Sequence, residues 1–266
     1  MIKRICAMSL AGLLAGAAAA QQQPVPPSEP LYKPLPPMTW TPKRYTCLRA
    51  DKPIEIDGRL DERDWVKAPW TDEFIDIEGP DKTTPRYRTR AKLLWDDNYL
   101  YIAAQMEEPN VKATLTQHDS IIFHDNDFEI FLKPLATESG YFEVEVNALN
   151  TVWDLFLNKP YREGGKADSS WDSEGLKTAV SVQGTLNNPE DKDTGWTVEM
   201  ALPWKGFGNR LHVPRPKTGT EWRINLSRVE WIPGHPREDN WVWTSQGVIN
   251  MHAPDRWGYL EFRGNE

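Results

Sequence analysis

Cysteine is close to absent from this chain of 266 residues, with Cys6 and Cys47 its only two. Cys6 lies in an apolar N-terminal stretch that reads as a cleaved leader, so the mature chain keeps one thiol and forms no intrachain disulfide. Cys47 reads as a small buried hydrophobe rather than a nucleophile. Basic charge is also short: 31 Lys and Arg face 39 Asp and Glu, a net charge of −8. That balance argues against a nucleic-acid partner, because phosphate binding rests on a basic surface. A neutral or cationic ligand fits better. After residue 20 no apolar run is long enough to cross a bilayer. No glycine-rich phosphate loop is present. Ser169, Ser227 and Ser245 occupy no nucleophile elbow, and helical periodicity is almost missing.

Proline and tryptophan are in excess, at 22 and 13 residues. Residues 1–20 join Lys3 and Arg4 to a run of small apolar residues ending in alanines. This is the pattern of a secretory signal peptide cut near Ala20, and it implies a secreted or periplasmic protein. Residues 21–44 are proline-rich, favour extended conformations, and read as a linker or an arm along the domain. Residues 45–266 then form one domain, large enough at about 220 residues for a single sizeable core. Most of the tryptophans belong in that core. A few can serve a ligand, since an indole plane also packs against the aliphatic face of a sugar ring.

Short alternating runs separated by turn residues recur along the domain. Residues 54–58 read as a strand entering a turn, and 61–65 as a helical turn capped by an acidic side chain. Residues 91–95 and 99–106 form a hairpin around Asp96-Asp-Asn98. Strands follow at 128–132, 141–148, 152–157, 176–182, 196–202, 222–231, from 242 onward, and at 258–263. Residues 203–207 read as a short helix or turn. This is the pattern of an all-β, antiparallel β-sandwich of immunoglobulin-like or jelly-roll-like type. Alternation places Phe128, Ile130 and Leu132 on one face, with Asp127, Glu129 and Phe131 on the other. Phe142, Val144, Val146 and Ala148 match the apolar set, and Glu143, Glu145 and Asn147 lie opposite them. If the two strands pair, these acids and the amide share one sheet face. Arg223 and Arg228 are the cations expected to answer them.

The succession Ile56-Asp-Gly58, Asp61-Glu62, Trp65, Leu94-Trp-Asp-Asp-Asn-Tyr-Leu-Tyr101, Asp127-Phe-Glu-Ile-Phe131, Tyr141-Phe-Glu143 and Trp196-Thr-Val-Glu-Met-Ala-Leu-Pro203 resembles the family 9 carbohydrate-binding modules of xylanases. The resemblance spans about residues 50–263, and its nearest form is the stand-alone secreted bacterial members. It implies a β-sandwich that binds a plant-type poly- or oligosaccharide such as xylan, in support of carbohydrate breakdown. In those modules two tryptophans sandwich a terminal sugar, and polar side chains from the sheet bind its hydroxyls. Carried onto this chain, one ring position falls near Phe123 and the other near Met251. The polar positions fall on Glu129, Glu145 and Asn147. Glu145 stands where the family has a basic residue. Trp153, Trp171, Trp241 or Trp243 could restore an aromatic platform, and His252 adjoins Met251. The family can also carry structural calcium, for which Asp125 and Asp127 are the candidate ligands, with residues 188–193 a second acidic loop.

Other readings stay open. Glu129, Glu143 and Glu145 could form a glycosidase pair acting on O-glycosyl bonds, but strand neighbours stand side by side rather than across a bond. His118 and His124 flank Asp119 and Asp125 without the spacing of a structural metal site. Haem would need Met and His ligands; in an extended stretch Met251 and His252 would face opposite ways. A protein-docking sandwich is the last alternative. The expectation is a monomer that takes a carbohydrate, without nucleic acid and without a membrane span.

Overall fold

The computed structural model of the chain describes residues 34–39 and 41–264. The leader and the first part of the proline-rich segment lie outside the described residues. The strands are β1 (Arg44–Arg49), β2 (Ile75–Asp76), β3 (Thr89–Trp95), β4 (Tyr99–Glu107), β5 (Asp127–Lys133), β6 (Tyr141–Asn147), β7 (Val152–Leu157), β8 (Ala167–Asp168), β9 (Lys177–Gln183), β10 (Gly195–Pro203), β11 (Glu221–Glu230), β12 (Asp239–Val242) and β13 (Gly258–Arg263). A five-residue helix, α1 (Arg63–Lys67), is the one α-helix among the described residues. No helix among them is long and apolar enough to cross a membrane.

The strands join in one curled β-sandwich sheet, ordered β8-β7-β6-β5-β11-β13-β1-β3-β4-β10-β9, with β12 and β2 added beside β11. Curling brings the two arms of this path face to face. Phe128, Ile130 and Leu132 of β5 and Phe142, Val144 and Val146 of β6 meet Leu93 and Trp95 of β3, Ile102 of β4 and Trp196, Val198 and Met200 of β10 in one buried core. Each such side chain contributes roughly 1.5–3 kcal/mol by leaving water. The expected faces of β5 and β6 are the observed ones.

The recurring sequence motifs are mostly scaffold. Glu199, buried in β10, accepts the N–H groups of Asp57 at 3.0 Å and Gly58 at 2.7 Å, and the indole N–H of Trp65 at 2.7 Å. One carboxylate therefore fastens the first loop and α1 to the sheet. Gly58 has φ +84°, and a Cβ there would lie 2.8 Å from the backbone of β9. In the β3–β4 hairpin Asp96 accepts from Asn98 N and Tyr99 N at 2.7 and 2.9 Å, which closes the turn.

Four details depart from expectation. β1 pairs in parallel with both β13 and β3, so the sheet is not wholly antiparallel; the connections are long enough for the crossovers that parallel pairing needs. Residues 54–58 form no strand, and the amides of Asp57 and Gly58 serve Glu199 instead of a ladder. α1 has Glu62 at its N-cap with no side-chain cap bond. The last part of the chain makes a strand up to Val242, not onward from it. Residues 243–257 instead fold across the outer face of β5 and β6, where Met251 and Trp257 cover Phe131, Tyr141, Leu155 and Leu157. Arg256 in this segment donates to the carbonyls of Gln246 and Pro36.

Candidate binding site

Strand register builds the site. Trp153 of β7 stands opposite Glu145 of β6, Glu145 opposite Glu129 of β5, and Glu129 opposite Ser227 of β11. One step along, Leu155, Glu143, Phe131 and Asn225 form the next row. Both rows lie on the outer face. Above them opens a cavity of about 440 Å³ lined by Phe123, Glu129, Glu143, Glu145, Trp153, Tyr161, Glu238, Ile249, Met251 and His252, among others. That size suits a small organic ligand, for which roughly 300–1,000 Å³ is usual.

Phe123 sits on the short 3-10 turn Ile122–His124, which leads into β5. Its N–H donates to Glu145 Oε2 at 3.0 Å, and its carbonyl accepts from Trp231 Nε1 at 2.8 Å. Its ring lies 6.2 Å from that of Trp153, tilted by 32°. His252 packs among Tyr161, Phe131 and Tyr141, with Tyr141 Oη 3.0 Å from its Nδ1. Burial pushes its pKa down to about 4, so the ring is neutral at pH 7.

The floor is acidic and dry. Burial is the main force that drives the pKa of Asp127, Glu143 and Glu145 well above the carboxylate range, and the charge of Glu129 adds to each. Burial also pushes Glu129 up to about 7. Among the described residues no Lys or Arg lines the cavity. Asp127 Oδ2, Glu129 Oε2, Glu143 Oε2 and Trp153 Nε1 are buried without a hydrogen-bond partner. Buried polar groups are normally paired, so a cluster of unpaired ones marks where a ligand's hydroxyls would be answered. Carboxyls that hold protons can donate as well as accept. The result is a pair of neighbouring aromatic rings beside a floor of hydrogen-bonding groups.

A second cavity, about 350 Å³, lies at Glu108, Asn126, Glu230 and Trp231. Its acids are already answered: Arg228 reaches Glu230 at 2.6 Å and Glu108 at 3.3 Å.

Six of the sequence-derived residues meet at the larger cavity: Phe123, Glu129, Glu145, Trp153, Met251 and His252. Met251 and His252 lie in no strand, so both reach it despite being adjacent. Four do not join them. Asn147 is fully buried; its oxygen accepts from Leu149 N and Thr151 N, and its amide donates to the Leu115 carbonyl and Asp125. Trp171 is a core residue whose indole donates to the Gly206 carbonyl, and Trp241 and Trp243 are buried in the same core. Asp125 and Asp127 make no joint metal site. Asp125 is taken up by the Thr114 and Leu115 amides and by Asn147, while Asp127 faces Glu129 and Glu145. In the loop at 188–193, Asp193 accepts from Val111 N and Thr185 N. The expected cations are elsewhere too: Arg228 pairs with Glu108 and Glu230, and Arg223 donates to the Trp257 carbonyl. Glu129 and Glu145 stand side by side on the floor as direct cross-strand neighbours. Tyr161, Glu238 and Ile249 were missed, because they come from loops that carry no periodic signal.

A sequence profile described as "Carbohydrate family 9 binding domain-like" matches residues 56–265. Exoglucanase XynX of Acetivibrio thermocellus is 26% identical over 149 residues, covering 56% of this chain and 11% of that protein. Endo-1,4-beta-xylanase A of Thermotoga maritima is 24% identical over 177 residues, covering 65% and 14%. The chain therefore spans only a small part of the length of the curated relatives it matches. Among solved structures, a family 9 carbohydrate-binding module of Caldicellulosiruptor kristjanssonii in complex with cellotriose superposes with a TM-score of 0.57 at 19% identity, covering 84% of this chain and 95% of that one. A putative carbohydrate-binding protein of Bacteroides uniformis gives 0.64 at 15% identity, covering 84% and 100%. At these identities the structures speak to the fold, and the profile match to the family: this chain belongs to the carbohydrate family 9 binding domain-like family.

Proposed function

We propose that this protein binds a neutral poly- or oligosaccharide of plant type in the cavity lined by Phe123 and Trp153, and that it does so without cleaving it. The observation that carries this reading is the pairing of two neighbouring aromatic rings with a floor of buried, unpartnered hydrogen-bonding atoms. Stacking supplies apolar contact to a sugar ring, and Glu129, Glu143 and Glu145 answer its hydroxyls. Family membership and the structural neighbour in complex with cellotriose support a carbohydrate; the xylanase and exoglucanase relatives support a plant glycan. The side-by-side placement of Glu129 and Glu145 supports binding over hydrolysis, which sets its two carboxyls on opposite sides of the scissile bond. The leader supports export to the periplasm or beyond.

Calorimetric titration with cellotriose, xylotriose and mannotriose tests the proposal. Heat of binding is expected with at least one, reduced in Trp153→Ala. Absence of heat with all three would sink it. Reducing sugar released from xylan, and lost in Glu129→Gln, would overturn the non-catalytic part.

A further inference from the structure

Away from the cavity, four side chains from three separate segments converge. His118 and Asp119 come from the loop before β5, Asp154 from β7, and Asp172 from the turn before β9. One ligand-type atom from each lies within 4.8 Å of every other. His118 Nε2 is 3.0 Å from Asp172 Oδ1, 3.5 Å from Asp119 Oδ1 and 3.6 Å from Asp154 Oδ1. Four ligand atoms placed about 2.0–2.1 Å from a tetrahedral zinc ion stand about 3.3 Å apart. The observed separations bracket that edge.

Asp154 is the telling member. It projects to the inner side of β7, where Val152 and Phe156 pack against the core. Its side chain is only 2% exposed. Oδ2 accepts from Ser173 N at 2.6 Å, but Oδ1 is buried with no hydrogen-bond partner, and it faces His118. A buried carboxylate oxygen left unanswered is costly. Among the described residues no Lys or Arg forms an ion pair with Asp119, Asp154 or Asp172, so three carboxylates share one imidazole. The Asp119 N–H also donates to the Val152 carbonyl at 3.0 Å, which fixes the loop to β7.

We propose that His118, Asp119, Asp154 and Asp172 form a site for one divalent transition-metal ion of the zinc type. Calcium prefers an all-oxygen shell of six to eight ligands, whereas a mixed set of one imidazole and three carboxylates suits a zinc-type ion. The ion would tie the 117–120 loop, β7 and the turn at 172 together. Trp153 is the next residue of β7 and faces the opposite side, so the same strand carries the metal ligand and the cavity's aromatic wall.

The test uses the full chain, stripped with a chelator and titrated with zinc chloride. One zinc per chain and a raised melting temperature are expected. His118→Ala and Asp172→Asn should each weaken binding by roughly 100-fold or more, since even changes outside the first coordination sphere cost about 10–100-fold. Both positions are exposed, so the fold survives their replacement. Glu174→Gln, on a nearby exposed side chain, should bind zinc as the native chain does. Absence of zinc uptake, equal affinity in His118→Ala, or a melting temperature raised by calcium but not by zinc would each overturn the proposal.

Discussion

Phe123, Trp153 and Trp171 are all aromatic, yet only the first two face the cavity. Phe123→Ala or Trp153→Ala should weaken oligosaccharide binding by about 1–2 kcal/mol, roughly 5–30-fold, while the melting temperature stays near native. Trp171→Ala should instead cost about 3–5 kcal/mol of stability, because it empties the core; chemical denaturation would separate the two cases. The acidic floor predicts an unusual pH response. Glu129 is raised from 4.5 to about 7, and Glu199, also buried, to about 7. The folded state thus holds protons that the unfolded chain releases, and stability falls as pH rises through that interval. His252, lowered from 6.5 to about 4, acts the other way, but only below pH 6.5. The melting temperature should therefore drop between pH 6.5 and about pH 8, and drop less in Glu129→Gln. At this scale alternation found Glu129 and Glu145 on their face. It also placed Asn147 on that face, but the sugar-binding role the resemblance gave it is not seen, because an amide that closes a turn and an amide that binds a sugar look alike in sequence. Trp171 and Trp243, offered as possible platforms, lie in the core, because a loop tryptophan has no period to show which way it turns.

At the scale of elements, the existence of strands was legible wherever apolar runs alternated, as in β5, β6 and β10, and the β3–β4 hairpin was legible from its turn. The segment at 54–58 alternates just as well but forms no strand. The amides of Asp57 and Gly58 are drawn to the Glu199 carboxylate, a partner distant in sequence that no local pattern reveals. Gly58→Ala tests that arrangement. The positive φ and the 2.8 Å approach to β9 leave no room for a methyl group, so a loss of about 1–3 kcal/mol is expected, measurable as a lower denaturant midpoint. Segment 243–257 was the hardest to read. It is irregular, and its role as a cover depends on Phe131, Tyr141, Leu155 and Leu157, apolar residues interleaved with the acids of that face.

For the whole molecule, the net charge of −8 bears on solubility and disfavours an anionic ligand. A neutral glycan offers no charge to screen. Affinity for the best oligosaccharide should therefore change by less than about twofold between low and high salt, as read by calorimetry. The parallel contact of β1 with β13 could not be foreseen, because the two strands stand at opposite ends of the domain's sequence. Their register runs from Arg44 beside Tyr259 to Leu48 beside Arg263. The segments leading to Arg44 and away from Arg263 thus depart from opposite poles of that strand pair. A pull applied through them would slide β1 against β13 along their length and load every rung of the ladder at once. Antiparallel terminal strands would instead peel apart rung by rung. The domain is therefore arranged to resist tension applied in line with β1 and β13.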